Sequence, residues 1–428
     1  MTDRRSIQLA PGRFIPPLLR AAGDFRRLWI GSTISVFGDE ISRIGLPLVA
    51  VLLLGADAAQ MGYLTAAGLL PHLLFSIVAG IWLDRIRHRR RLMIWADLGR
   101  AALIATIPAG YVFGFLSMTQ LFVVGFLSGS LAVVFDLSWN TIFVSVVKRE
   151  RFVDAMSLLN GSRSLAFVGG PALGGVLVQF VGAPLAILSD ALSYLGSAFF
   201  LRRIDAPEPP IEPEKGTLHE RLWAGLAFVA RDPIMRPTLL AAATINLFNL
   251  AFSALFILYA TKELGVSPGV LGLALGSGAV GGLVGAVIAG RIGQRIGLGP
   301  AYALGCLLFP APLILVPLAA AGMPMPIILA LLFLSEFGAG LGVMILDVNA
   351  GAIIVARTPD RIRARSGGAF RFVNYGIRPI GALLGGLLGS LLEVRAALFI
   401  VTIAASMGGL WLVGTRVLRL RGLPDVAA

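Results

Sequence analysis

Charge is scarce in this chain: only 14% of its 428 residues are Asp, Glu, Lys or Arg, against about 25% in ordinary soluble domains. Cysteine and histidine are scarcer still. The lone Cys306 sits within an apolar stretch and forms no intrachain disulfide. His72, His88 and His219 are scattered, so no metal cluster is expected, and no other cofactor. No nucleophile–base pair stands out, which argues against an enzyme. The glycine-rich stretch from Gly265 to Gly299 lacks the spacing and the lysine of a Walker A loop, which excludes ATP as a driving force. Met1 to Arg27 is basic, with no apolar core or cleavage site, and no removable signal peptide is expected.

Apolar length is abundant instead. Hydrophobic residues make up 57% of the chain and the mean hydropathy is +0.86. Runs of roughly 20 apolar residues recur, each long enough to cross a hydrocarbon core of ~30 Å. They predict an all-α integral membrane protein with twelve transmembrane helices at about 28–54, 61–83, 92–115, 120–146, 153–180, 184–203, 236–260, 269–290, 298–321, 325–356, 366–391 and 395–416.

The net charge is +13, yet the arginines lie between apolar segments rather than on one amphipathic face, so no nucleic-acid partner is expected. With both termini inside, cytoplasmic segments hold 29 of the 36 basic residues and external loops hold two, Lys262 and Arg395. That bias predicts cytoplasmic termini in a multi-pass protein of the cytoplasmic (inner) membrane. A Pro/Glu stretch, Ala206 to Lys215, divides the chain into an N-terminal six-helix half (1–203), a linker (204–235) and a C-terminal six-helix half (236–428). Leu218, Leu222, Leu226 and Val229 predict a short linker helix, lying on the inner leaflet or serving as an ordinary connector. The halves echo each other: Arg163 stands eight residues before Pro171, as Arg371 does before Pro379, and Asp136 has a counterpart in Asp347. Two pseudo-symmetric halves are the arrangement of one large class of secondary transporter.

Charges within the apolar spans are the main candidates for chemistry, because each costs roughly 2.5–3.5 kcal/mol at mid-helix unless paired or hydrated. Asp39, Glu40 and Arg43 lie in the first span; Asp39 and Arg43 are four apart and share a face, as a proton-exchanging carboxylate with its partner or as a permanent salt bridge. Asp136, Trp139 and Asn140 fall on one stripe of the fourth span, a cavity wall or a polar tether, and Asp136 and Asp347 are the reserve candidates for proton coupling after Asp39. Asn160 and Arg163, and Arg371, Asn374 and Arg378, have the same face spacing in the fifth and eleventh spans. Their arginines either pair with Asp136 and Asp347 or meet an anionic substrate. Asn246, Asn249 and Glu336 are lesser cavity candidates, and Asp190 reads as an interfacial cap.

The run Gly80-Ile-Trp-Leu-Asp84-Arg85-Ile-Arg-His-Arg89-Arg90-Arg-Leu resembles the signature loop of the major facilitator superfamily, although Arg87 stands where a turn glycine is usual. Asp97-Leu-Gly-Arg100 and the opening Phe25-Arg-Arg-Leu-Trp29 are similar to its drug and siderophore exporter branch, macrolide-efflux-like and enterobactin-exporter-like. Gly170-Pro171-Ala-Leu-Gly174-Gly175 resembles the exporters' antiporter motif, with Ala166 in place of a further glycine, and no arginine occupies the fourth span. The resemblance implies alternating-access, proton-coupled export of a small amphipathic compound by a monomer. In it the signature loop, with Asp97 and Arg100, would act as a gating latch. Importer, lipid transporter and non-transporting sensor or assembly factor remain open, since fold does not set direction.

Topology is the first quantity to test. Cysteines placed near Arg89 and in the Pro/Glu linker are expected to resist an impermeant thiol reagent applied to intact cells; ready labelling from outside would reverse the orientation.

Overall fold

The computed structural model describes residues 18–19, 23–83, 86, 88–207 and 218–423, so Asp84, Arg85 and the Pro/Glu stretch from 208 on lie outside the described residues. Long helices dominate: α1 (Gly23–Leu52), α2 (Ala58–Leu83), α3 (Arg89–Phe113), α4 (Met118–Val146), α5 (Phe152–Val181) and α6 (Ala183–Arg202) precede the linker helix α7 (Leu218–Arg231). Then follow α8 (Met235–Leu258), α9 (Pro268–Ile296), α10 (Leu298–Leu318), α11 (Met325–Arg357), α12 (Arg363–Leu391) and α13 (Val394–Leu412). Among the described residues nine of these are long and apolar enough to cross a membrane. The other four are the linker helix α7 and α1, α2 and α12, of which α1 and α12 carry charges within their apolar spans. Helices suit the setting because every internal N–H finds a carbonyl within its own segment, without water.

Two spans are less regular than their apolar runs suggest. The α-helix of α10 stops at Leu308, and a 3-10 turn at Ala311–Ile314 follows, because Pro310 and Pro312 supply no N–H to the ladder. In α13 the α-helix ends at Ser406 and a 3-10 turn covers Met407–Leu412, where Gly408 and Gly409 favour departure from the α geometry. Helix α7 packs on α12 and α8, with Gly225 close to the Arg365 carbonyl and Val229 buried, so it is a docked connector.

The helices before the linker pack on one another, as do those after it, and the two sets meet chiefly along two seams, α5 on α9 and α2 on α12, with lesser contacts of α2 and α1 on α8. Both seams are glycine against glycine. A Cβ added at Gly175 would lie 2.9 Å from the Gly272 Cα, and one at Gly62 would lie 2.7 Å from the Gly386 Cα. Small residues let backbones approach in this way where lipid offers no hydrophobic driving force. These contacts lie toward the end of the bundle away from the linker. There Lys262 donates to the carbonyls of Gly55 and Ala56, both at 2.9 Å, and Gln179 accepts from the Gly269 N–H at 2.9 Å. Gly55 and Gly265 turn the chain after α1 and after α8 at the same φ of +67°, a conformation open to glycine at little cost. At the linker end, by contrast, Gly161 of α5 and Gly290 of α9 have nothing within 4 Å of an added Cβ. The close glycine contacts between the two sets are thus gathered at the far end.

This asymmetry is testable on one helix. Gly175→Leu is expected to overpack the seam and cost about 1–3 kcal/mol, lowering Tm by several degrees in detergent, whereas Gly161→Leu should leave Tm unchanged. Equal Tm values for both variants would argue against close packing at the far end.

Candidate functional site

Two adjoining hollows of about 430 and 250 Å³ lie between α1 and α5 on one side and α8 to α11 on the other, sharing Phe167, Gly278, Gly340 and Val343. Their polar groups are few. Glu40 and Arg163 line the first; Arg43, Asn249 and Glu336 line the second. The Arg43 Nε donates to Glu40 Oε2 at 2.7 Å, and its guanidinium lies 5.5 Å from the centre of the Phe167 ring. Across the cavity, Arg43 is also the charge that acts on Glu336. The remaining wall is apolar and includes Phe252, Phe256 and Phe309. Gly170 faces Glu40 and Gly278 faces Glu336, so both carboxylates stand where the opposing helix carries no side chain.

Asp39 points away from this cavity, into the first helix group. It accepts a hydrogen bond from the Tyr194 hydroxyl, and its Oδ1 is 4.0 Å from Arg100 Nη1. Arg100 donates to Asp97 Oδ1 at 2.5 Å and lies between the rings of Phe135 and Tyr194, at 4.8 and 4.2 Å. Asp190, one helical turn before Tyr194, accepts from Ser193 Oγ at 3.1 Å, and Gly38 lets α1 approach closely there. Asp97 and Asp190 are buried, and Arg100 is 5% exposed. Asp39 alone opens outward, with 44% of its side chain exposed. Three carboxyl groups thus surround one guanidinium. Nearby, the exposed Asp136 of α4 acts electrostatically on Asp39 and sits 3.9 Å from His72 Nε2.

The structure rearranges several sequence expectations. Arg43 pairs with Glu40 and not with Asp39, because Arg100 and Tyr194 already occupy Asp39. Trp139 does not share a wall with the exposed Asp136 and Asn140: it is buried, stacks on Phe143 at 5.3 Å and donates to Ser32 at 3.3 Å. Arg163 lies 5.5 Å from the Trp139 ring centre and forms no salt bridge to Asp136; Arg378 donates to Asn246 at 3.1 Å and lies over Tyr375, with the exposed Asp347 in electrostatic reach. Asp97 and Arg100 are buried in the cluster, and Asp190 lies there too instead of capping an interface. Arg89 donates to Thr141 at 2.6 Å, and Arg90 is partly buried beside it in sequence. Asn160 and Arg371 are exposed, and Asn374 is half-buried with a buried, unbonded Oδ1. Gly174 and Gly175 are packing positions, the first 3.1 Å from the Ile41 Cα as measured from an added Cβ, and the Pro171 carbonyl meets Gly272.

Sequence reasoning missed Tyr194, Ser193, His72 and Phe167. A signal existed for two of them: Asp190, Ser193, Tyr194 and Ser197 fall at i, i+3, i+4 and i+7, a polar stripe on an otherwise apolar helix.

Relatives fit this geometry. The family model described as transmembrane secretion effector matches residues 15–423. A multidrug efflux pump of Mycobacterium tuberculosis, Tap, is 26% identical over 371 residues, 82% of this chain and 83% of the pump. The Bacillus subtilis transporter YfiS, of major facilitator type, is 25% identical over 238 residues, and the match spans 54% of each chain, about half the relative's length. Among solved structures, a bacterial homologue of the iron transporter ferroportin in an inward-facing state superposes with a TM-score of 0.73 at 18% identity, covering 93% of this chain and 99% of that one. A bacterial homologue of the lysosomal transporter Spinster, inward-facing and unoccupied, gives 0.71 at 12% identity, covering 93% and 97%. At those identities the likeness is one of fold. The chain is a multi-pass membrane transporter and belongs to the transmembrane secretion effector family of the major facilitator superfamily.

Proposed function

We propose that this chain exports a cationic, amphipathic small molecule in exchange for protons. The observation that carries the reading is Glu336, a carboxylate that lines the cavity among phenylalanine rings with no salt bridge among the described residues, while Arg43 is paired with Glu40 and Arg163 lies against Trp139. An entering cation would displace Arg43 from Glu40 or take Glu336, and its apolar body would lie against Phe167, Phe252 and Phe256. Efflux by the mycobacterial relative supports the outward direction.

In this reading the linker end is cytoplasmic, as the arginine bias argues, so the described conformation is inward-facing and both termini lie inside the inner membrane. Residues 1–203 and 236–428 move as two bodies of a monomer, joined by 204–235. The proton enters at the exposed side of Asp39, near Asp136 and His72, and is held by the cluster around Arg100. One guanidinium balances one carboxylate; three ionised acids would leave at least one of the buried Asp97 and Asp190 uncompensated, which is strongly unfavourable. Proton and cation therefore occupy different faces of α1, through adjacent residues Asp39 and Glu40.

Two variants test the two faces in inside-out vesicles. Asp39→Asn is expected to abolish accumulation driven by an imposed pH gradient while keeping substrate binding and downhill exchange. Unchanged uphill pumping would make Asp39 structural. Glu336→Gln is expected to weaken binding of a lipophilic cation about ten-fold, roughly 1.4 kcal/mol, and to leave a neutral analogue unaffected. Equal weakening of both ligands would remove the preference for cations.

A further inference from the structure

A third hollow lies far from the transport cavity, at the linker end, between the start of α8 and the end of α13. Its volume is about 370 Å³ and its rim carries Arg231, Arg236 and Arg416, with Trp411 and Leu240 in its wall. The three arginines are exposed and, among the described residues, none is paired with an acid. The one carboxylate in the hollow, Asp232, is already satisfied: it accepts from Arg357 Nε at 2.8 Å and from the backbone N–H groups of Ile234 and Met235, both at 2.9 Å. Three positive charges from two distant stretches of chain therefore face one small space.

Above that space the surface turns apolar. Met407, Leu410 and Val413 are exposed on the outer face of α13, and Trp411 is half-exposed while donating to Thr244 at 3.1 Å. Tryptophan at the junction of a charged rim and an apolar belt marks the depth of lipid headgroups. Guanidinium groups suit phosphate oxygens because their planar donors bind in pairs. We infer that this hollow seats the phosphate of an anionic phospholipid, whose acyl chains run along α13 past Trp411. Such a lipid would tie the first helix after the linker to the last helix of the chain. The inference does not rest on the export reading.

The test uses the purified full chain in mild detergent, with native mass spectrometry as the readout. Phosphatidylglycerol and phosphatidylcholine of identical acyl chains are compared, with inorganic phosphate as a competitor. Each arginine near a lipid surface contributes about five-fold in affinity. Arg416→Gln alone is therefore expected to weaken phosphatidylglycerol retention about five-fold, and the triple Arg231→Gln, Arg236→Gln, Arg416→Gln variant roughly a hundred-fold. Arg291→Gln with Arg295→Gln, on another exposed basic patch, should change nothing. Equal retention of both lipids, unchanged retention in Arg416→Gln, or an equal loss in the Arg291/Arg295 control overturns the site. Displacement by millimolar inorganic phosphate shows a free-anion site and overturns the lipid as its occupant. If the triple variant fails to fold, Arg416→Gln and the phosphate competition still decide.

Discussion

A charge inside a bilayer must be either paired or wetted, since left bare it costs roughly 2.5–3.5 kcal/mol even on the lenient insertion scale. This chain meets that constraint in two ways. Asp97, Arg100 and Asp190 are withdrawn from all water into the first helix group, where hydrogen bonds, aromatic rings and one another replace the solvent. Glu40, Arg43 and Glu336 instead line the cavity between the two helix groups. Asp39 stands between the two, bonded to the dry cluster yet partly exposed. The proposed division into a proton site and a substrate site rests on that sorting.

The glycines make the sorting possible. Gly31, Gly38 and Gly45 recur at intervals of seven along α1, and an added Cβ at each would press on α6, so α1 lies unusually close to the helix bearing Asp190 and Tyr194. On its other side Gly170 and Gly174 of α5 meet Glu40 and Ile41. The same α5 then reaches across the bundle through Gly175 to Gly272 of α9. Three helices are thereby locked in sequence, from the buried acids through the cavity wall to the second helix group, by contacts that admit no side chain.

Most of the fold was legible because hydrocarbon thickness imposes helix length, and arginines punctuate the helices. The breaks in α10 and α13 were less so, since Pro310 and Gly408 lie within runs whose hydropathy never falters. The site was legible in its parts and not in its pairings. Spacing says that Arg43 can reach back three residues or four with nearly equal ease. What decides for Glu40 is the competition for Asp39 from Arg100, about sixty residues away in sequence and on a different helix. Asp190 differs for a related reason: the predicted span, 184–203, starts within a residue of the observed Ala183, but spacing does not show that α1 closes over Asp190 and Ser193 at Gly38. Periodicity reports the face a residue occupies on its own helix, and says nothing of which helix comes to meet that face.

The arrangement also bears on how two sites without a shared residue can sense each other. Successive residues of a helix point about a hundred degrees apart, so Asp39 and Glu40 cannot serve the same site. Their backbone is nonetheless one rigid rod, held by glycine contacts on both sides. Loss of the Asp39 charge would weaken its attraction to Arg100 and loosen α1 from α3 and α6; pulling Arg43 off Glu40 would loosen α1 from the cavity wall. Either event shifts the same helix against α5, and α5 is the helix whose seam with α9 holds the far end closed. Coupling of this kind needs no proton path to the substrate, only that α1 has two packed positions and that each ligand prefers a different one.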